Sequence, residues 1–210
     1  MLRLRNPVGL AYAVVALLAG NIVFDVVLGV IDLGILMSED SETPVLGSVN
    51  VNVAFSMAFT LFVATGIVFI VWFHRLRKNA EVWAGDQQER GVGWAIGGWF
   101  IPIGNLWIPR NIAADIWRAS RMAPYAADGP GELALLNGWW AAWVVSMLAD
   151  RVAALMFRRA ETVDALISAT WWDLASYVLD AVAAVAAILF VRKLTSMQHL
   201  KATGMISAAQ

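Results

Sequence analysis

Four apolar stretches constrain this chain more than anything else in it. They run from about Val8 to Met37, Asn50 to Phe73, Leu133 to Phe157 and Leu166 to Val191. Each exceeds the ~20 residues a helix needs to cross the hydrocarbon core of a bilayer. Of the 210 residues, 60% are hydrophobic, and mean hydropathy is +0.67. Soluble domains lie nearer half apolar. The chain therefore reads as one membrane domain over 1–210, with no room for a large soluble unit. Basic residues precede the first apolar stretch, as in a signal peptide, but that stretch continues to Met37 without a small-x-small cleavage site. It reads as a retained first helix.

A fifth uncharged run, Gly91 to Pro109, complicates the count. It is long enough to span, yet it holds Gly97, Gly98, Pro102, Gly104, Asn105 and Pro109, which helix interiors avoid. If it crosses and the N-terminus is cytoplasmic, Arg110, Arg118, Arg121, Arg192, Lys193 and Lys201 fall outside, against the positive-inside rule. If it does not cross, four spans leave both termini cytoplasmic. Arg3, Arg5, Arg75, Arg77, Lys78, Arg90, Arg110, Arg118, Arg121, Arg192, Lys193 and Lys201 are then inside. Arg158, Arg159 and the acidic stretch "SEDSE" are outside. Four spans are preferred. The run 91–109 is expected to enter from the cytoplasmic side and return, or to lie on the surface, with a break at Pro102, Gly104 and Asn105. After it, residues 110–121 sort into two arcs. Arg110, Asn111, Asp115, Arg118 and Arg121 form one, and Ile112, Ala113, Ile116, Trp117, Ala119 and Ser120 the other. This predicts an amphipathic helix in the headgroup plane, with Pro109 in its first turn. The expected fold is thus an all-α integral membrane protein of the cell membrane. It has four transmembrane helices plus a re-entrant or interfacial hairpin and an amphipathic helix.

The segments "VWFHRLRKNAEVW", "GWAIGGWFIPIGNLWIPRNIAADIW" and "WWAAWVVSMLADR" resemble a group of small actinobacterial membrane proteins classed as a domain of unknown function. Asn79, Gly93 to Pro102, Asn105, Trp107, Pro109, Asp115, Ile116 and Trp117 fit the family pattern. The resemblance runs from the second span to "VRKLTSMQ". It implies a multi-span membrane protein and brings no activity.

Ionisable residues recur seven apart within three spans: Asp25 and Asp32, Arg151 and Arg158, Asp173 and Asp180. Seven residues are nearly two turns, so each pair shares a face, about 10 Å apart along the axis. The four-span topology puts Asp32, Arg158 and Asp173 near the outer surface, and Asp25, Arg151 and Asp180 deeper. Asp150 adds an acid, and Asn21, Ser176 and Tyr177 extend the polar faces. An isolated charge in hydrocarbon costs at least ~2.5–3.5 kcal/mol, so these groups should face inward and pair, or line water. Arg151 is expected to pair with Asp180.

Other chemistry finds little support. There is no cysteine, and the two histidines are His74 and His199, so a thiolate or multi-histidine metal site is not expected. No catalytic residues, metal site or cofactor are proposed from the sequence, and the chain is read as non-enzymatic. "GVGWAIGG" lacks the strand and lysine of a phosphate loop; Gly93 and Gly97 suit close helix packing. Arg75, Arg77, Lys78, Arg118 and Arg121 are expected to face anionic lipid, and no nucleic acid is implied. Among the eleven tryptophans, Trp72, Trp94, Trp139, Trp171 and Trp172 are expected as interfacial anchors. The leading functional expectation is a membrane-embedded interaction or accessory subunit. Its partners would be the bilayer and a homo-oligomer or another membrane protein. The alternative is binding or passage of a small cation or proton through an acidic vestibule.

Overall fold

The computed structural model describes residues 4–37 and 51–207. Six α-helices follow in order: α1 (Val8–Met37), α2 (Val51–Ala84), α3 (Trp94–Gly97), α4 (Ile108–Ser120), α5 (Ala134–Arg159) and α6 (Val163–Ser207). Two 3-10 turns, Gly85–Gln87 and Gly104–Leu106, punctuate the α2–α4 connection, and no strand occurs among the described residues. Four helices, α1, α2, α5 and α6, are long and apolar enough to cross a membrane. The stretch "SEDSE" and Arg3 lie outside the described residues.

Helix α6 is the spine. It packs along α5 on one side and α1 on the other, and α1 packs on α2. Helix α4 wedges between α2, α5 and α6 at one end. The core is concentrated there. Trp72, Phe73, Leu76, Ile112, Ile116, Leu136, Trp139, Phe190 and Leu194 are all buried in it. Trp139 stacks on Phe190 with ring centroids 4.3 Å apart, and Trp117 stacks on the same ring at 6.3 Å. At the opposite end the buried core shrinks to Leu28, Ile31 and Ala54, with Ala58 and Tyr177 against them. One end is packed like a soluble core, and the other is left loose.

Four expectations change. The basic run at His74 to Lys78 does not end the second span in a loop: α2 continues to Ala84, about 16 Å further at 1.5 Å per residue. Helix α6 likewise runs on to Ser207, well past Val191. Leu76, Asn79 and Ala80 on α2 face Leu194, Thr195, Gln198 and Lys201 on α6 as a buried, helix-spaced stripe. Helix α4 begins at Ile108 and does not lay its apolar face on lipid. Ile112, Ala113, Ile116 and Ala119 are at most 2% exposed, packed into the protein. Trp72 and Trp139 are core residues rather than anchors, while Trp94, Trp171 and Trp172 are exposed.

The run 91–109 makes no continuous helix. Helix α3 is one turn long, and the chain then folds back through a tight turn at Pro102–Gly104, where the Gly104 amide donates to Pro102 O at 2.6 Å. Ile103 takes φ 63°, ψ −46°, a strained conformation for a β-branched residue. Gly104 is buried below it: a Cβ there would lie 2.9 Å from Ile101 Cγ2 and 3.0 Å from Ile108 Cδ1. The Asn105 amide, not its side chain, satisfies the break by donating to Ile101 O at 2.9 Å. Pro109 is buried in the first turn of α4, as its missing amide allows.

Candidate functional site: an acidic cleft

Helix α5 meets α6 through small residues. Ser146, Ala149 and Ala153 are buried along that contact. This close approach sets Asp150 at the edge of the seam, facing Asp180 and Ser176 of α6. Asp25 on α1 faces the same pair. One layer nearer the α5–α6 turn, the Tyr177 hydroxyl stands between Asp32 and Asp173 and donates to Asp173 Oδ2 at 3.4 Å. Asp32 Oδ2 is buried with no hydrogen-bond partner. The five aspartates therefore do gather from three helices, in two layers.

The arginines do not join them. Among the described residues, no ion pair connects Arg151 or Arg158 to any carboxylate, and both side chains are exposed on the far side of α5. The reason is azimuth. Arg151 follows Asp150 by one residue, about 100° around the helix, so both cannot face α6. Matched depth alone suggested the Arg151–Asp180 pair; the helix face decides against it. Asn21 also leaves the cluster. Its amide donates to Thr65 Oγ1 and to Leu17 O, each at 2.7 Å, tying α1 to α2.

A cleft of about 440 Å³ opens beside the acids. Asp150, Asp173, Ser176 and Tyr177 supply its polar wall, and Phe55, Ala154 and Phe157 its apolar wall. Ser146 and Ser176 donate to carbonyls of their own helices, Trp143 O at 3.1 Å and Asp173 O at 2.9 Å, and each hydroxyl also lies against a carboxylate, Ser146 against Asp180 and Ser176 against Asp150. Among the described residues, no three carboxylates or histidines come together in the way a bound metal ion requires.

The basic residues expected on lipid have other work. Arg77 is 2% exposed; it pairs with Glu81 and donates to Arg90 O at 2.6 Å, so it is a core residue. Arg118 and Arg121 hold the connection between α4 and α5. Arg118 pairs with Asp128 at 2.8 Å and Asp115 at 3.5 Å, and Arg121 with Glu132 at 3.0 Å and Asp128 at 3.3 Å. The Arg118 guanidinium holds the Asp128 carboxyl below the usual carboxylate range. Burial pushes Asp115 above it, with the Glu89 charge adding and Arg118 opposing. Arg75 donates to Asn6 O at 2.8 Å, and Lys78 is half-buried.

A polar knot at the same end escaped sequence reading. Asn79 bonds the backbone of Arg5 twice, through Oδ1 and Nδ2, each at 2.8 Å, and donates to Gln198 Oε1 at 2.8 Å. Gln198 donates in turn to Leu76 O and Ser120 Oγ. Lys201 is buried, and its ammonium caps α4 through Ala119 O at 2.7 Å and Arg121 O at 2.6 Å, over the Trp83 ring. The four-residue inward spacing of Leu194, Gln198 and, three later, Lys201 was the available signal.

Comparison with known proteins yields one match. A family model described as "Domain of unknown function (DUF4328)" matches residues 40–196. No curated protein and no solved structure matches.

Proposed function

The chain belongs to the DUF4328 family, which carries no activity with it, and from that premise we propose that it binds a small cation or a proton in its acidic cleft. One observation carries this: Asp25, Asp32, Asp150, Asp173 and Asp180 converge within apolar helices, and among the described residues no arginine of the same copy makes an ion pair with them, the Arg151 charge acting on Asp150 alone. Charge inside a membrane is costly, so such a group of acids is balanced by protons, cations or water. The apolar wall of Phe55 and Phe157 suits a cation that sheds part of its hydration.

The topology belongs to the same proposal. The α4 end carries Arg5, Arg75, Arg77, Lys78, Arg90, Arg110, Arg118, Arg121 and Lys201, and by the positive-inside rule this supports a topology with both termini in the cytoplasm and the cleft in the outer half of the bilayer. The segment 91–109 is then a re-entrant wedge. Trp99 sits among Phe69, Phe73, Trp140 and Trp143, residues of spanning helices, while Phe100, Ile103 and Trp107 are exposed toward lipid. An actinobacterial source and a cell-membrane location are part of this proposal and rest on the resemblance and on the charge pattern.

Infrared difference spectra of the protein in nanodiscs test the site. Adding sodium, potassium or tetramethylammonium, or changing pH, is expected to alter carboxyl bands that vanish in Asp150→Asn/Asp180→Asn. Carboxyl bands indifferent to every cation and to pH would overturn it. A second reading, a non-enzymatic interaction or accessory subunit, is favoured by the exposed Arg151 on a spanning helix, since an arginine facing lipid costs several kcal/mol. The two readings are compatible.

A further inference from the structure

We infer that α5 is the contact between two copies of this chain, joined by reciprocal Asp150–Arg151 ion pairs at the mouth of the cleft. Asp150 and Arg151 are both exposed, and among the described residues Arg151 makes no ion pair, its charge acting only on Asp150 beside it. They lie about 100° apart around the helix and about 1.5 Å apart in depth. Between them on the wheel run Met147 and Ala154, and Ala154 is small and exposed.

Two copies in one membrane share an orientation, so the two-fold axis relating them stands along the membrane normal. Such an axis brings equal depths together, and the left flank of one helix meets the right flank of the other. With the axis facing the Met147–Ala154 line, Asp150 of one copy meets the partner's Arg151, and Arg151 meets the partner's Asp150. The surface is complementary to itself in charge and in height. The lower half of α5 cannot take part, because Trp140 and Trp143 are covered by Trp99 of the wedge. The contact is therefore confined to the outer half, beside the cleft that Asp150 and Ala154 line. The partner's arginine then sits at the cleft mouth against Asp150 and leaves Asp173, deeper in the lining, to the cleft itself. This stands on the α5 surface and does not depend on what the cleft binds.

The chain contains no cysteine, which makes the test direct. Ala154→Cys, diluted as reduced thiol into excess lipid and then oxidised in the membrane, is expected still to give a disulfide-linked dimer. Val182→Cys, on the exposed face of α6, is expected to give none. Arg151→Asp added to Ala154→Cys is expected to remove most of the cross-link, and Asp150→Arg/Arg151→Asp to restore it. The restored double exchange separates loss of pairing from loss of folding. No cross-link at position 154, equal cross-linking at 182, cross-links to a different protein, or failure of the exchange to restore would each overturn the inference.

Discussion

At the scale of single residues, the sequence told depth and withheld direction. The seven-residue spacings placed Asp25, Arg151 and Asp180 in one layer, and the count along each helix made that legible. Which face of α5 meets α6 is set by Ser146, Ala149 and Ala153, three small residues that no charge pattern singles out. Arg77 shows the same blindness from the other side. In sequence it is one of a basic run; in the fold it is a buried guanidinium held by Glu81 and a carbonyl. Arg77→Ala is expected to cost about 1.5–3 kcal/mol, and Arg77→Lys to recover little, since a single ammonium cannot make both bonds. Thermal unfolding in detergent against wild type checks both. The turn at Ile103 makes a prediction of opposite sign. Glycine accepts its φ of 63° without penalty, so Ile103→Gly is expected to stabilise the purified protein by about 1 kcal/mol. Unchanged or lower stability would mean that the strain is offset by contacts of the isoleucine itself. Gly98→Ala should destabilise by about 1–3 kcal/mol, because its Cβ would lie 2.8 Å from the Trp94 carbonyl oxygen and 2.7 Å from Ile108 Cγ2.

At the scale of elements, four spans were readable because hydropathy averages over ~20 residues and lipid imposes that length. The same averaging hid the extensions of α2 and α6. Their polar residues, Asn79, Gln198 and Lys201, look like loop composition until each is seen to face another helix. Helix α4 was recognised as two-sided, but a two-sided helix fits a lipid surface or a protein groove equally well. Its neighbours Trp72, Phe190 and Leu194 decide for the groove. The loop after α4 carries its own pH dependence. Asp128 is held below the ordinary carboxylate value by Arg118, so its contribution is fully present above that ordinary value. It is lost as pH falls through the lowered value. Limited proteolysis between Ala123 and Glu132 should therefore quicken only in strong acid, and Asp128→Asn should show the fast rate at neutral pH. Equal rates for the two proteins at neutral pH would exclude the clasp.

At the scale of the whole molecule, the protein is uneven by construction. The end with α4 is packed with stacked aromatics and a closed polar knot, and the opposite end gathers five aspartates, two of which, Asp150 and Asp173, line a cleft. A rigid base and an open, acidic upper half are what a binding site in a small membrane protein needs. The central claim is that this cleft selects positive charge. Ala154→Cys lines it and can be labelled in a chain with no other thiol. The deciding measurement is the ratio of its reaction rates, as reduced thiol, with a cationic and an anionic methanethiosulfonate of similar size. The account predicts a ratio well above that of a free thiol, collapsing toward it in Asp150→Asn/Asp173→Asn. Equal rates for the two reagents, or a ratio untouched by removing those carboxylates, would contradict it.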